Sequence, residues 1–475
     1  MSSAGKSFIV TALCRIFSDM GYRVAPFKSQ NMALNSGVTC DGKEMGRAQI
    51  AQAEAARTEP DVRMNPILLK PNSDIGSQVI VMGKPVGNMK AREYYDYKTS
   101  LIPVIKDAFK SLEEEYDVII VEGAGSPAEI NLKDNDIVNM GLAKMLDIPV
   151  LLTGDIDLGG VFAQLLGTIE WLEESEKDRI KGLIINKFRG DVTLLKPGID
   201  MLEQRISKKV IGVIPYSSAK IDEEDSVTVS LKDDDKKSAG EKLLSIFVVR
   251  LPHMSNFTDF TPLKNLPYVD LKYIDKIPES NPDMIIIPGT KSTISDLHWM
   301  NKNGISQYII SVAGSVPIMG ICGGNQILGK EIIDVNGIEG ENFAEGLSLI
   351  NQKTNIMDDK TLKKTSSKIS CSKGFFKCLD NAEYEGYEIH SGVTSESQES
   401  DDIYGTYIHG IFDKASVTKA LVKGLFERKG IALSQDMMEI IEDYDSYKDK
   451  EYDIAAEAVK KSINMDMLLE IMGMK

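Results

Sequence analysis

The sequence predicts an α/β protein of two successive parallel-sheet domains, on three observations. Short continuous apolar runs alternate with helical patterns through the first half: Asp117–Val121, Ile148–Leu152, Gly182–Ile185 and Val210–Ile214. Strands that are apolar along their whole length are buried on both faces, as in a parallel sheet covered by helices. The same rhythm resumes at 244–250, Met284–Ile287 and Val316–Ile321 after an acidic interruption. The third observation is length, because 475 residues exceed what one hydrophobic core sustains.

The first element in order is Gly5-Lys6-Ser7, leading into apolar helical spacing over residues 8–18. Gly-Lys-Ser at a helix N-terminus is the back half of a phosphate-binding loop. Its N–H groups cradle phosphates, the lysine neutralises them and the serine hydroxyl binds Mg²⁺. Gly5, Lys6 and Ser7 are therefore candidate nucleotide-binding residues. The loop's first glycine and its feeding strand are not in the sequence. The expectation is that the chain begins inside the loop and leaves a strand position unfilled beside Val118–Val121.

Lys28, in Pro26-Phe27-Lys28-Ser29-Gln30-Asn31, and Asp41 are candidates for substrate or phosphate contact. Glu122 ends the Val118–Val121 run and precedes Gly123-Ala124-Gly125. A carboxylate at the C-terminal end of a parallel strand is placed to hold a metal beside phosphates. Ser7, Asp41 and Glu122 make up the expected Mg²⁺ set. Asp155 and Asp157, in Gly154-Asp155-Ile156-Asp157, follow another strand end and are candidate phosphate or substrate contacts. Asn186, after Ile184-Ile185, could read an adenine edge. Each carboxylate could instead cap a helix or sit in a loop; together they point to a nucleotide site.

Two acidic clusters, Asp222–Asp225 and Asp233–Asp235, mark a linker or exposed hairpin at a domain boundary. The expected division is residues 1–222, a linker at 223–242, a second domain at 243–425 and a helical segment at 426–475.

In the second domain the run Val316–Met319 leads into Gly320-Ile321-Cys322-Gly323-Gly324-Asn325-Gln326. A strand, a cysteine between glycines and a following helix form the pattern of a nucleophile elbow. The alternative is a buried cysteine in a glycine-rich turn. A cysteine nucleophile needs a base, and the chain has four histidines: His253, His298, His390 and His409. His409 ends the strand-like run Tyr404–Ile408 and is the favoured partner, with His390 as competitor. His253 and His298 read as structural or substrate-facing.

Composition excludes other classes. The formal net charge of −16 argues against nucleic acid or an anionic membrane as the main partner. Five scattered cysteines without a C-x-x-C pair fit a reducing cytoplasm. No apolar run reaches the roughly 18 residues of a membrane span, and no signal peptide is apparent.

Several segments carry a specific resemblance. They include Lys28–Ser36, Glu122–Leu132, Asp136–Gly141, Gly154–Asp157, Ser255–Phe260, Pro288–Thr293 and Gly386–His390. Across essentially its whole length the chain resembles the cobyric acid synthase family. The resemblance implies a P-loop, dethiobiotin-synthetase-like ATPase domain followed by a class I glutamine amidotransferase-like domain. It also implies ATP-dependent conversion of four corrin carboxylates, b, d, e and g, to amides with nitrogen from glutamine. The cofactors are then ATP and Mg²⁺, and the partners glutamine and a corrinoid polycarboxylate, with a homodimer as a candidate assembly. Catalysis would rest on Cys322 and His409, with an oxyanion hole of N–H groups near Gly289 and Gly323. His409 is followed by Gly410-Ile411 where ordinary class I enzymes carry Pro-Glu, so the resemblance implies a Cys/His pair without its third member. The alternatives are cobyrinic acid a,c-diamide synthase, with the same plan, and a MinD/ParA-type nucleotide switch, which leaves Cys322 and His409 without a purpose.

Overall fold

Residues 4–73, 76–222, 241–339, 341–395 and 400–475 are described by a computed structural model, and most of the expected 223–242 linker lies outside them. The chain forms two units. One comprises Met1–Ala33, Met45–Glu224 and Lys448–Lys475, the other Leu34–Glu44 and Asp225–Tyr447.

In the first unit the apolar runs form parallel strands. Val24–Phe27 pairs with Val118–Val121, with Phe27 opposite Val121. Val210–Pro215, Ile180–Phe188 and Val150–Asp155 form a second parallel group, in that order, with Asn186 opposite Asp155. Helix Lys6–Asp19 buries Ile9, Leu13, Ile16 and Phe17 in a core with Val24, Val118, Ile184 and Ile211. Each such side chain contributes about 1.5–3 kcal/mol by leaving water. A cavity of about 380 Å³ lies beside Val118–Val121, lined by Ile9, Leu13, Leu152, Ile184 and Met472 among others. A four-stranded sheet of Gln30–Met32, Ile67–Ser73, Gly76–Val81 and Lys84–Lys90 completes the unit and was not foreseen.

In the second unit five parallel strands run in the order Val269–Ile274, Leu244–Val249, Met284–Ile287, Ile318–Ile321, Ile403–Thr406. Met284–Ile287 and Ile318–Ile321 are buried at every residue, as continuous apolar runs require. A second sheet is built on the long antiparallel pair Lys353–Lys368 and Glu383–Thr394, with the short strand Ile408–His409 on its edge.

The units depart from the expected boundaries in two places. Residues 34–44 leave the first unit as a strap on the second, where buried Glu44 pairs with Lys360 at 2.5 Å and accepts from Ser36 Oγ at 2.8 Å. A buried carboxylate needs such partners. The end of the chain is divided too, because Lys448–Lys475 belongs to the first unit. There Ala455, Ala456, Val459 and Ile463 join the core around helix Lys6–Asp19. Fully buried Arg15 pairs with Asp453 at 2.8 Å and with Asp449, and donates to the Ala55 carbonyl.

Arg15→Ala strips two aspartates and a carbonyl of their donor. Because both aspartates are more than half exposed, the expected loss is about 2 kcal/mol rather than that of a wholly buried pair. Urea unfolding should show the lower midpoint; an unchanged midpoint would show that the C-terminal segment is not fastened through Arg15.

Candidate active site

The candidate site of the second unit grows from strand Ile318–Ile321. At its end Cys322 takes φ 51° and ψ −109°, and helix Gly323–Leu328 begins. A non-glycine residue there stores about 1–3 kcal/mol of backbone strain, so the surroundings must hold it. The Cys322 N–H donates to the Thr406 carbonyl at 2.8 Å, and the Gln326 N–H donates to the Cys322 carbonyl at 3.2 Å. Gly324 is required on the far side of the turn: a Cβ there would lie 2.0 Å from the Ile287 carbonyl oxygen. The strained cysteine between strand and helix has the elbow geometry expected from sequence.

His409 is almost fully buried beside it. Its Nδ1 lies 2.7 Å from Asp259 Oδ2, and Asp259 Oδ1 accepts the Gly410 N–H at 3.0 Å. Cys322 is the other group that acts on this imidazole. With Nδ1 on Asp259, Nε2 is the nitrogen left for the sulfur. Burial alone would lower the imidazole's pKa. The Asp259 charge and hydrogen bond, joined by Cys322, outweigh it and raise the pKa to about 10. The Cys322 thiol as placed donates to the Ile389 carbonyl at 3.4 Å.

His390, the competing base, is engaged elsewhere. Its Nδ1 lies 2.8 Å from the Gly392 carbonyl, its Nε2 lies 3.1 Å from Glu388 Oε2, and it stacks on Tyr407. His253 pairs with Asp296 at 2.8 Å, and exposed His298 with Glu341 at 2.8 Å. Gly289 packs against both His409 and Cys322, and a Cβ there would lie 2.8 Å from His409 Cε1. Gly323 opens its helix, so its N–H has no acceptor within that helix. Both glycines therefore border Cys322, Gly289 in space and Gly323 in sequence.

Asp259 and Tyr387 were missed as site residues. Asp259 stands in the short turn Phe257–Phe260, and the Tyr387 ring stacks on His409 with centroids 5.5 Å apart. Nothing in local spacing marks either one.

The first unit carries the second cluster. Ser7 Oγ donates to Glu122 Oε1 at 2.8 Å, Lys28 Nζ to the same oxygen at 3.1 Å, and Gln52 Nε2 to Oε2 at 2.5 Å. Burial works against a charge on Glu122. Lys28, then the Ser7 and Gln52 hydrogen bonds, hold its carboxyl below the usual carboxylate value. Lys6 Nζ reaches the Gly125 carbonyl at 3.0 Å, and left-handed Gly5 (φ 79°) precedes the helix. The structure thus brings Gly5, Lys6, Ser7, Lys28 and Glu122 together. Asn186 joins them differently from expectation, donating to the Ala4 carbonyl at 2.9 Å. Asp155 accepts from Lys187 at 2.8 Å and Asp157 from Arg189 at 3.0 Å, so both negative charges are matched by neighbouring cations.

Asp41 falls in the other unit. It lies on the strap of the second unit, where Lys43 and then Thr39 hold its carboxyl below the usual value. Among the described residues no three His, Cys, Asp or Glu side chains cluster as a metal site. A hydroxyl and one carboxylate still suit Mg²⁺, which takes few protein ligands and completes its shell with phosphate and water. The orphaned Gln52 Oε1, buried beside Glu122, is a further oxygen in need of a partner.

Residues 1–229 match the CobQ/CobB/MinD/ParA nucleotide binding domain, and residues 245–417 match the CobB/CobQ-like glutamine amidotransferase domain. The cobyric acid synthase of Lachnoclostridium phytofermentans is 48% identical over 508 residues, covering 99% of this chain and 97% of the relative. That of Ruminiclostridium cellulolyticum is 46% identical, covering 99% and 95%. That of Alkaliphilus metalliredigens is 46% identical, covering 99% and 98%.

Asp259→Asn keeps the shape and removes the charge facing His409. The folded imidazole is raised from 6.5 to about 10. The stability gained is therefore complete below about pH 6.5 and fades as pH climbs toward about 10. The melting-temperature gap between the parent and this variant should be wide near pH 6 and narrow near pH 9.5, by these pKa values. Glutamine hydrolysis should fall about 100-fold. A gap that widens with pH would contradict the pairing.

Proposed function

We propose, from the premise that the chain belongs to the cobyric acid synthase family, that it amidates the b, d, e and g carboxylates of adenosylcobyrinic acid a,c-diamide with ATP and glutamine. The observation that carries the reading is the buried Cys322–His409–Asp259 array. A nucleotide switch has no use for it. A glutamine-hydrolysing ligase needs it.

In this reading the Cys322 thiolate attacks the side-chain amide carbon of glutamine. N–H groups near Gly289 and Gly323 receive the developing oxyanion. As the C–N bond breaks, His409 Nε2 gives its proton to the departing ammonia, leaving a γ-glutamyl thioester. Water then attacks with His409 as base, the C–S bond breaks, and glutamate leaves. Asp259 keeps the imidazole in the orientation and tautomer that both steps use.

Amide formation takes place at the Glu122 cluster. A carboxylate is a poor acyl donor, because oxide is a poor leaving group. Transfer of the ATP γ-phosphoryl group to it gives an acyl phosphate. Ammonia displaces phosphate from that species and the amide forms. Lys6 and Lys28 offset charge on the transferring group. Ser7 and Glu122 would hold Mg²⁺, which when bound neutralises phosphate charge. The five cysteines, none in a disulfide, support a reducing cytoplasmic setting.

Cys322→Ala should lower glutamine-dependent amidation at least about 1,000-fold. Amidation driven by ammonium salts should persist, because the thiolate acts only in releasing ammonia. Mass spectrometry of the corrin product reads both, and equal loss with the two nitrogen sources would refute the division of labour. Glu122→Gln should lower amidation at least about 100-fold with either source, because it acts on phosphoryl transfer. A loss confined to glutamine would place Glu122 outside that step.

A further inference from the structure

The strap Leu34–Glu44 ends one hydrogen bond from the groups that hold His409. The carbonyl oxygen of Ser36 accepts from Asn256 Nδ2 at 2.8 Å and from the Tyr387 hydroxyl at 3.2 Å. Asn256 Nδ2 also donates to the Tyr387 oxygen at 2.8 Å. One strap oxygen therefore fixes two different neighbours of the imidazole. Tyr387 stacks on the His409 ring. Asn256 starts the turn that carries Asp259, in the left-handed region at φ 52°, and its carbonyl accepts the Asp259 N–H at 3.0 Å. Next to Asn256 and Asp259, Thr258 Oγ1 donates to Asn35 Oδ1 of the strap at 3.3 Å. The strap itself is anchored by the Ser36–Glu44–Lys360 network.

We infer that the strap is a positioning element for the glutaminase, acting on His409 through Asn256 and Tyr387. The inference rests on the glutamine-hydrolysing reading given above. Asn35, Ser36, Glu44 and Asn256 are all buried, and a loop that served only as a connection would run over the surface. The Ser36 carbonyl and the Asn35 side chain lie inside, where they meet Asn256, Tyr387 and Thr258. Tyr387 bears on the His409 ring and Asn256 on the turn that carries Asp259, so their effect is on the aim of His409. The strap is continuous at Met32 and Arg47 with the segments that carry Lys28 and Gln52 to Glu122.

The test uses Asn256→Gly, which tolerates φ 52° but lacks the amide, and Tyr387→Phe, which keeps the ring and lacks the hydroxyl. Each should lower kcat for glutamine hydrolysis about tenfold, the weight of one buried hydrogen bond, with KM for glutamine within about twofold. Ammonium-driven amidation, measured alongside, reports general damage to the fold and should match the parent protein. Cys322→Ala separates the two claims. If it abolishes glutamine use while both strap-facing variants keep the parent kcat, the strap has no positioning role. Loss of ammonium-driven amidation in step with glutamine use, in both variants, would equally overturn it. If Cys322→Ala retains glutamine use, the glutaminase reading fails first and the inference goes with it.

Discussion

A carboxylate and an imidazole can share a dry interior only if each answers the other's charge, and Asp259 and His409 do so at 2.7 Å with both side chains almost wholly buried. Much of the second unit is arranged around that pair. The strand Ile408–His409 pairs with Glu383–Thr394 and sets His409 opposite Tyr387. The turn at Phe257–Phe260 delivers Asp259, and the Gly410 N–H occupies its other oxygen. The strained Cys322 elbow then meets an imidazole whose charge is already compensated. Removing either member leaves a buried charge unanswered, which typically costs 3–5 kcal/mol.

The first unit solves the same problem with different groups. Glu122 stays charged in the interior because Lys28, Ser7 and Gln52 converge on its two oxygens. Parallel strands bring this about: the pairing of Val24–Phe27 with Val118–Val121 sets Lys28 and Glu122 just beyond neighbouring strand ends. Both clusters thus stand where a parallel strand stops and backbone donors are free, the usual place for binding in such sheets.

What could be read from sequence was what is local in sequence. Val118–Val121, Met284–Ile287 and Ile318–Ile321 show themselves by consecutive apolar residues, and the Cys322 elbow by adjacent glycines. Gly5-Lys6-Ser7 and Glu122 were legible for the same reason. Asp259 was not, because it meets His409 across 150 residues and no spacing announces the contact. The strap was hidden for the converse reason. Its neighbours in sequence lie in the first unit, whereas Glu44 and Ser36 fasten the segment to the second. The absence of Pro-Glu after His409 was visible in sequence, but the group taking its place could be seen only in three dimensions.

The most direct measurement is an NMR titration of the imidazole nitrogens in ¹⁵N-histidine-labelled protein. The chain has four histidines, so His409 is identified by the signal lost in a His409→Gln variant. The account predicts an imidazole that stays doubly protonated through neutral pH and titrates near 10, falling toward the ordinary value of 6.5 when Asp259 is replaced by Asn. A His409 signal titrating near 6.5 in the parent protein, unmoved by that replacement, would contradict it.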